Sequence, residues 1–240
     1  MPEPVAFYPL NARYKAAEKE NRQPKGILGD VGITNGPYGE AGGAYMFYGT
    51  NNSYIEFPNN GGLDIRFSIT LMCWVQPGGQ DGPLFKDCVS SFAVSIEILL
   101  GQFVNEMVTE QRSGKVEGYI TRTTDTLPAG KWVHVAASYD HNTRINSLYI
   151  NGHLNFSQSI GTGYEISTIF QRDRMGAGDN EYFKGKIAEM KVYDVALNEA
   201  QIQTSIKKGS CTFFEIVFSL PSPVFPLINE TLVIEHFRKR

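Results

Sequence analysis

A chain of 240 residues fits one large all-β domain or two small ones. Its formal net charge of −3 argues against broad nucleic-acid binding, which needs a basic face. It contains no run of about 18 apolar residues, so neither a transmembrane helix nor membrane insertion is predicted.

In chain order, Val5 to Leu10 reads as a first strand, with Pro9 suited to an edge. Residues 11–43 are polar and Gly-rich. Ala12 to Asn21 is briefly helical in pattern, but Gly26, Gly29, Gly32 and Gly36-Pro37 interrupt any regular pattern beyond it. The whole stretch reads as a loop packed on a rim. Ala44 to Tyr48 and Tyr54 to Phe57 are strands, with a turn from Gly49 to Ser53. Phe67 to Val75 is apolar at both odd and even positions, which marks a central strand. Trp74 within it and Trp132 further on are expected in the core. Gly78-Gly79 and Asp81-Gly82-Pro83 make the next turn.

Phe92 to Leu100 alternates cleanly, and Phe103 to Val108 answers it across Gly101. Gly118 to Arg122 is another strand. Trp132 to Tyr139 places Val133, Val135, Ala137 and Tyr139 on one face. Leu148 and Ile150 lead into Asn151-Gly152, a strong type I′ hairpin signal. Ala188, Met190 and Val192 alternate with Glu189, Lys191 and Tyr193 in a late strand. Asn198 then stands as an N-cap, with Gln201 completing a capping box and Leu197 and Ile202 a hydrophobic staple. Lys207 and Lys208 fill the last turn and Gly209 stops the helix. A dozen short antiparallel strands and one short C-terminal helix predict an all-β, two-sheet antiparallel β-sandwich, a jelly roll.

The stretch from Tyr182 to Gly209 resembles the closing segment of laminin-G-like and pentraxin domains of the concanavalin A-like lectin/glucanase superfamily. There a G-x-I-x-x-x-x-x-[YW] strand precedes a [VA]-L-x-x-x-x-I helix, matched here by Gly185 to Tyr193 and Ala196 to Ile202. SYIEFP at 53–58, FSITLMCWV at 67–75, GPLF at 82–85, LPAGKWVHVAASYD at 127–140 and SLYINGHL at 147–154 fall in that family's order. The resemblance covers residues 5–209, which is the expected domain. Residues 210–240 match nothing in the family. Pro221, Pro223 and Pro226 forbid a helix or a central strand there, so a weakly ordered tail is expected.

The resemblance implies an extracellular setting, secreted or in the extracellular matrix, as part of a larger protein. The opening MPEPVAFYPL has neither the basic nor the apolar region of a secretory signal. Three N-glycosylation sequons, at Asn51, Asn155 and Asn229, suit a glycoprotein. Three cysteines, Cys73, Cys88 and Cys211, leave at least one unpaired. A Cys73–Cys88 bridge would close a loop of about 15 residues and contribute roughly 3 kcal/mol; buried thiols are the alternative. Pentraxins bridge the first of these strands to the WVHVAASY strand, where Ala136 stands here, so that disulfide is absent.

For chemistry, glycoside hydrolysis needs two carboxylates facing one cleft. No single strand here carries acidic residues at alternate positions. Glu106 with Glu110, or Glu97 alone, come nearest, and each reads as a solvated outer-face residue. His134, His141, His153 and His236 share no ligand spacing, and no nucleophile elbow, zinc-protease pair or phosphate loop is present. Calcium is the candidate cofactor, since superfamily members hold it at the sandwich rim. Asp179 and Asn180 occupy the loop matching the pentraxin acidic loop, and Asp140 is the expected second carboxylate. Arg172 with Arg174, and Lys184 with Lys186, offer a basic rim for sulfated glycans, against solvated edge residues as the plainer account. The expectation is a non-enzymatic recognition or adhesion module binding a glycan or an extracellular protein through rim loops. The alternatives are a structural component of a fibrous or mineralised matrix and a glycan-processing hydrolase with an unrecognised site.

Overall fold

The computed structural model describes residues 1–58, 61–87, 94–110, 116–161, 165–166, 173–178 and 180–207. Its strands are β1 (Ala6–Tyr8), β2 (Ile27–Leu28), β3 (Val31–Thr34), β4 (Ala44–Tyr48), β5 (Ile55–Phe57), β6 (Ile69–Gln80), β7 (Gly82–Asp87), β8 (Val94–Leu99) and β9 (Gln102–Glu110). They continue as β10 (Val116–Thr126), β11 (Val133–Asp140), β12 (Ile145–Ile150), β13 (His153–Ser159), β14 (Glu165–Ile166), β15 (Asp173–Met175), β16 (Ala177–Gly178), β17 (Glu181–Tyr182) and β18 (Lys184–Tyr193). One helix, α1 (199–207), comes after them.

Two antiparallel sheets face each other, as the alternation predicts. The first runs β13-β12-β11-β6-β18-β4-β3, with β1 also paired to β18. The second runs β10-β9-β8-β7-β15-β5-β2, with β14 on β9. Ile69, Leu71, Cys73 and Val75 of β6 and Val133, Val135, Ala137 and Tyr139 of β11 point into the core between the sheets. There they meet Leu84, Ile96, Ile98 and Phe103 of the second sheet.

β6 is apolar at even positions too because its other face is also covered. Met72, Ala136, Tyr149 and Tyr193 form a second apolar cluster with Leu197, Ile202 and Ile206 of the α1 segment. Burying a side chain of this size contributes about 1.5–3 kcal/mol. The capping box forms as read: Gln201 N–H donates to Asn198 Oδ1 at 3.0 Å, and Asn198 N–H to Gln201 Oε1 at 2.9 Å. Lys191 Nζ donates to the carbonyl and hydroxyl of Ser205, both at 3.3 Å, so the helix is tied to β18 by polar bonds as well. Gly209 lies outside the described residues.

Four expectations are corrected. Residues 26–34 form strands β2 and β3 rather than loop; a Cβ at Gly29 would come within 2.5 Å of the Asn52 carbonyl, so that glycine permits close approach rather than breaking structure. Ala12 to Asn21 is turns, not helix. Asn11 Oδ1 accepts from Arg13 N and Tyr14 N, and Glu18 accepts from Phe7 N, Glu20 N and Arg22 N, which diverts these donors from helical bonds. Ala188 does not share a face with Met190 and Val192. Glu189 sits at φ 53° in a bulge, so Ala188 pairs with outward-facing Trp74 while Ile187, Met190 and Val192 face the core. Trp74 and Trp132 are half-buried rather than core: Trp74 lies on the outer face of β6 against Tyr38 and His134, and Trp132 precedes β11.

At one edge the sheets are joined by polar side chains. Asn146 Nδ2 of β12 donates to Asn105 Oδ1 of β9 at 2.7 Å and to Thr121 Oγ1 of β10 at 2.8 Å. Asn155 of β13 accepts from Thr124 N–H and donates to Asp125 Oδ2, each at 2.9 Å.

Asn198→Ala is expected to lower stability by about 1 kcal/mol through the lost cap, with Asn198→Ser close to wild type, as read by urea denaturation. Asn155→Ala is expected to cost about 1 kcal/mol and to speed amide exchange in β10 and β13 while leaving β6 protected.

Candidate functional site

Of the residues expected to hold calcium, Asp140 and Asn180 are not brought together. Asp140 ends β11 beside Ile69, the first residue of β6, whereas Gln80 at the other end of β6 donates to the Tyr182 carbonyl of the β16–β17 hairpin. Twelve residues of strand separate the two regions, roughly 36 Å at about 3.3 Å per step. Asp140 is also engaged locally: its Oδ1 accepts from Asn142 N–H at 2.9 Å and its Oδ2 from the Thr143 hydroxyl at 3.0 Å. Asn180 is an exposed turn residue at φ 65°, and Asp179 lies outside the described residues. Among the described residues no three His, Cys, Asp or Glu side chains cluster as a metal site needs.

Cys73 is a free thiol rather than half of a bridge, because its alternation points it into the core, where burial pushes its pKa up to about 12. Val135, not Ala136, stands opposite it on β11. Cys88 and Cys211 lie outside the described residues. Of the sequon asparagines, Asn51 is exposed in the turn before β5, Asn155 holds the sheet edge, and Asn229 lies outside the described residues. Arg174 belongs to an ion pair: it donates from Nε and Nη2 to Glu56 Oε2 at 3.0 and 2.8 Å, and its guanidinium lies 4.4 Å from the Tyr54 ring. Lys184 is exposed and Lys186 half-buried, while Arg172 lies outside the described residues. Tyr45 is core.

Polar chemistry concentrates instead on the outer face of the second sheet. Arg174 of β15 pairs with Glu56 of β5 on one side and Lys86 of β7 on the other. Glu97 of β8 pairs with Val104 of β9, which pairs with Arg122 of β10. Ser95 pairs with Glu106, which pairs with Ile120. These residues alternate with the core row Ile96, Ile98 and Phe103, so they share the outward face. Lys86 Nζ lies 3.9 Å from Glu181 of the β16–β17 hairpin, which brings that rim against the same face.

Glu97 is the centre of this group. It is 8% exposed, and no described residue makes a hydrogen bond or ion pair with its carboxylate. Burial raises its pKa above the usual carboxylate range, with the nearby charges of Glu181 and Glu106 adding to the rise and those of Lys86 and Arg122 opposing it. Two residues away on the same face, the Ser95 hydroxyl is buried without a partner. The grouping comes from two strands, which is why a search along single strands misses it. The signal was available: a turn at Leu100-Gly101 sets 99 opposite 102, hence 97 opposite 104 and 95 opposite 106. Glu97 and Glu106 are then diagonal neighbours on one face.

A laminin-G family model, described as "Concanavalin A-like lectin/glucanases superfamily", matches residues 49–203. The chain belongs to this superfamily. No curated protein matches the sequence. Among solved structures, the binding domain of Paraclostridial Mosquitocidal Protein 1 is similar at 18% identity and a TM-score of 0.68, over 86% of this chain and 52% of that one. The botulinum neurotoxin serotype D ligand binding domain in complex with N-acetylneuraminic acid is similar at 15% identity and 0.65, over 85% and 50%. Domain 4 of AbnA, a GH43 extracellular arabinanase from Geobacillus stearothermophilus, in complex with arabinotriose, is similar at 21% identity and 0.64, over 84% and 97%. The chain thus spans about half of each toxin domain and nearly all of the arabinanase domain. At these identities the likeness is one of fold: a superfamily sandwich with its sheets, turns and closing helix in the expected order.

On this sandwich the folded state holds the Glu97 proton more tightly than the unfolded state does. Ionisation of Glu97 therefore costs stability. The cost is absent below the unfolded carboxylate range and full once pH has risen past the raised folded value. Glu97→Gln is expected to raise Tm at neutral pH, with the gain shrinking as pH falls through that folded value. Paired melts between pH 4 and pH 8 check it.

Proposed function

We propose that this chain is a non-catalytic recognition module of an extracellular protein, and that its ligand is a glycan seated on the outer face of the second sheet. The observation that carries the reading is the side-chain set on that face. Carboxylates (Glu97, Glu106, Glu181) lie among cations (Lys86, Arg122), so the face offers both acceptors and donors to a sugar's hydroxyls. The β16–β17 hairpin borders this face, which makes the rim part of the site. The similar toxin structures are named as binding domains, and the similar arabinanase domain was solved with arabinotriose. Both facts support a binding role.

One observation favours a second reading. Diagonal neighbours on adjacent strands have Cβ atoms about 7–8 Å apart, and glycosidase carboxylates are separated by roughly 5–9.5 Å. Glu97, with its raised pKa, and Glu106 are such neighbours. A hydrolase would use the first as acid.

The test is an immobilised oligosaccharide array probed with the full chain, then a reducing-end assay on every ligand found. Binding without turnover is expected. Turnover abolished by Glu106→Gln moves the assignment to a hydrolase. An empty array moves it to a structural component or a protein-binding module.

A further inference from the structure

Strands β2 and β3 end their two sheets on the same side of the sandwich, and the chain joins them directly through Gly29 and Asp30. β2 reads Ile-Leu and β3 reads Val-Gly-Ile-Thr, so neither carries a charge. Ile27 is 54% exposed, Ile33 49%, and Tyr48 of the neighbouring β4 48%. A Cβ at Gly32 would lie 2.3 Å from the Tyr48 hydroxyl, so the Tyr48 ring lies across β3. An uncharged apolar edge is a template for pairing with another chain, and folded proteins usually blunt or cover it. The turn at 49–53 packs beside this edge: Asp30 N–H donates to the Asn52 carbonyl at 2.7 Å, and Gly29 N–H to the Tyr54 carbonyl at 2.9 Å. Asn51 in that turn is exposed, its amide has no partner among the described residues, and it opens the sequon Asn51-Asn52-Ser53. Asn155, the other described sequon asparagine, is fully engaged with Thr124 and Asp125.

We propose that Asn51 carries an N-linked glycan that covers the exposed β2–β3 edge, while Asn155 stays bare in the folded protein. This rests on the extracellular setting of the functional reading and not on what the module binds. The donor is an oligosaccharide linked to a lipid diphosphate. Asn51 Nδ2 bonds to the first sugar carbon, the bond from that carbon to the diphosphate oxygen breaks, and the amide's proton leaves with the released lipid diphosphate. The Ser53 hydroxyl is buried and accepts from Tyr48 N–H at 2.8 Å, so transfer precedes closure of the turn. A sugar on Asn51 displaces no bond of the folded chain. One on Asn155 disturbs the contacts to Thr124 and Asp125 that tie β13 to β10, so chains modified there fold less well. From Asp30 to Ile33 is three strand steps, about 10 Å at roughly 3.3 Å per step, within the span of a branched oligosaccharide. The apolar faces of its rings can rest on Tyr48, and its bulk keeps a second strand from the edge.

The experiment directs the full chain into the secretory pathway of cultured eukaryotic cells and maps glycans on the folded, secreted product by mass spectrometry of its peptides. A glycan on Asn51 and an unmodified Asn155 are expected. Asn51→Gln is expected to melt as wild type does, since the native amide bonds to nothing. It is expected to self-associate at a concentration at least about tenfold lower than the glycosylated chain, as read by sedimentation. Ile33→Lys added to Asn51→Gln puts a charge on the edge and is expected to restore the monomer. An unmodified Asn51, or a glycan on Asn155 of the folded product, would overturn the assignment. Asn51→Gln no more prone to associate than wild type would overturn the shielding role. Each of these leaves the glycan-binding reading standing, because the array tests that separately. A chain that cannot be secreted in folded form would overturn the extracellular setting itself, and the proposal with it.

Discussion

The pairing of β6 with β18 is the constraint on which the rest of the sandwich depends. The two strands are more than a hundred residues apart in sequence and lie side by side at the centre of the first sheet. β11 docks on the free side of β6. β4 and β1 share the free side of β18, β4 along Lys184 to Ile187 and β1 along Met190 to Val192, with the Glu189 bulge at the junction. Near the rim end of the pair the chain crosses between sheets, and two glycines make this feasible. A Cβ at Gly185, at φ 152°, would run into the Gln76 carbonyl; one at Gly82, at φ 156°, would lie 2.5 Å from the Phe183 nitrogen. A fold organised around so distant a pairing has high contact order, and it folds slowly because loop-closure entropy must be met before the pair forms.

What could be read from the sequence was local. Alternation in β8 and the one-faced row Val133, Val135, Ala137 and Tyr139 in β11 located core rows within a residue or two, because side chains on a strand change face at every residue. The Asn198–Gln201 box fixed the start of α1, since its chemistry acts across three residues. What could not be read was non-local. Asn180 was placed at a rim by the resemblance of its loop to the pentraxin acidic loop and Asp140 because it ends a strand, but only the β6 register shows that they belong to opposite rims. Glu97 looked like an isolated outer-face residue because the charges that act on it come from β7, β9, β10 and the β16–β17 hairpin. The Glu189 bulge is silent in the sequence: Ala188 and Met190 fit a simple alternation, and only the need to pair with β1 and β4 on the same edge reveals the extra residue.

The outer faces of the two sheets divide the labour. On the first sheet Met72, Ala136, Tyr149 and Tyr193 are sealed under α1. His134 beside them is pushed down to about 3 by burial and then by Lys191, so it is neutral at physiological pH. Its Nδ1 and the Trp74 Nε1 are buried without partners, a local cost accepted for packing. A face closed by a helix cannot receive an extended ligand without unfolding its cap. On the second sheet the described outer face carries charged side chains in every strand from β5 to β10, and ionised groups there must meet either water or a polar ligand.

Buried carboxylates make the same distinction residue by residue. Glu18, 2% exposed, accepts three backbone N–H groups and lies 3.6 Å from Arg22; its role is to fold the 11–22 segment onto β1. Glu56, 5% exposed, is held by Arg174 over Tyr54 and ties β5 to β15. Both are what a folding chain does with a charge it must bury: it supplies the partner itself. Glu97 is 8% exposed, and the charges that act on it are mixed, Glu181 and Glu106 against Lys86 and Arg122, with none of them paired to it. Stability alone would favour Gln or Thr at that position. Under the proposed glycan reading, a hydrogen-bond donor for Glu97 comes from the ligand rather than from the chain.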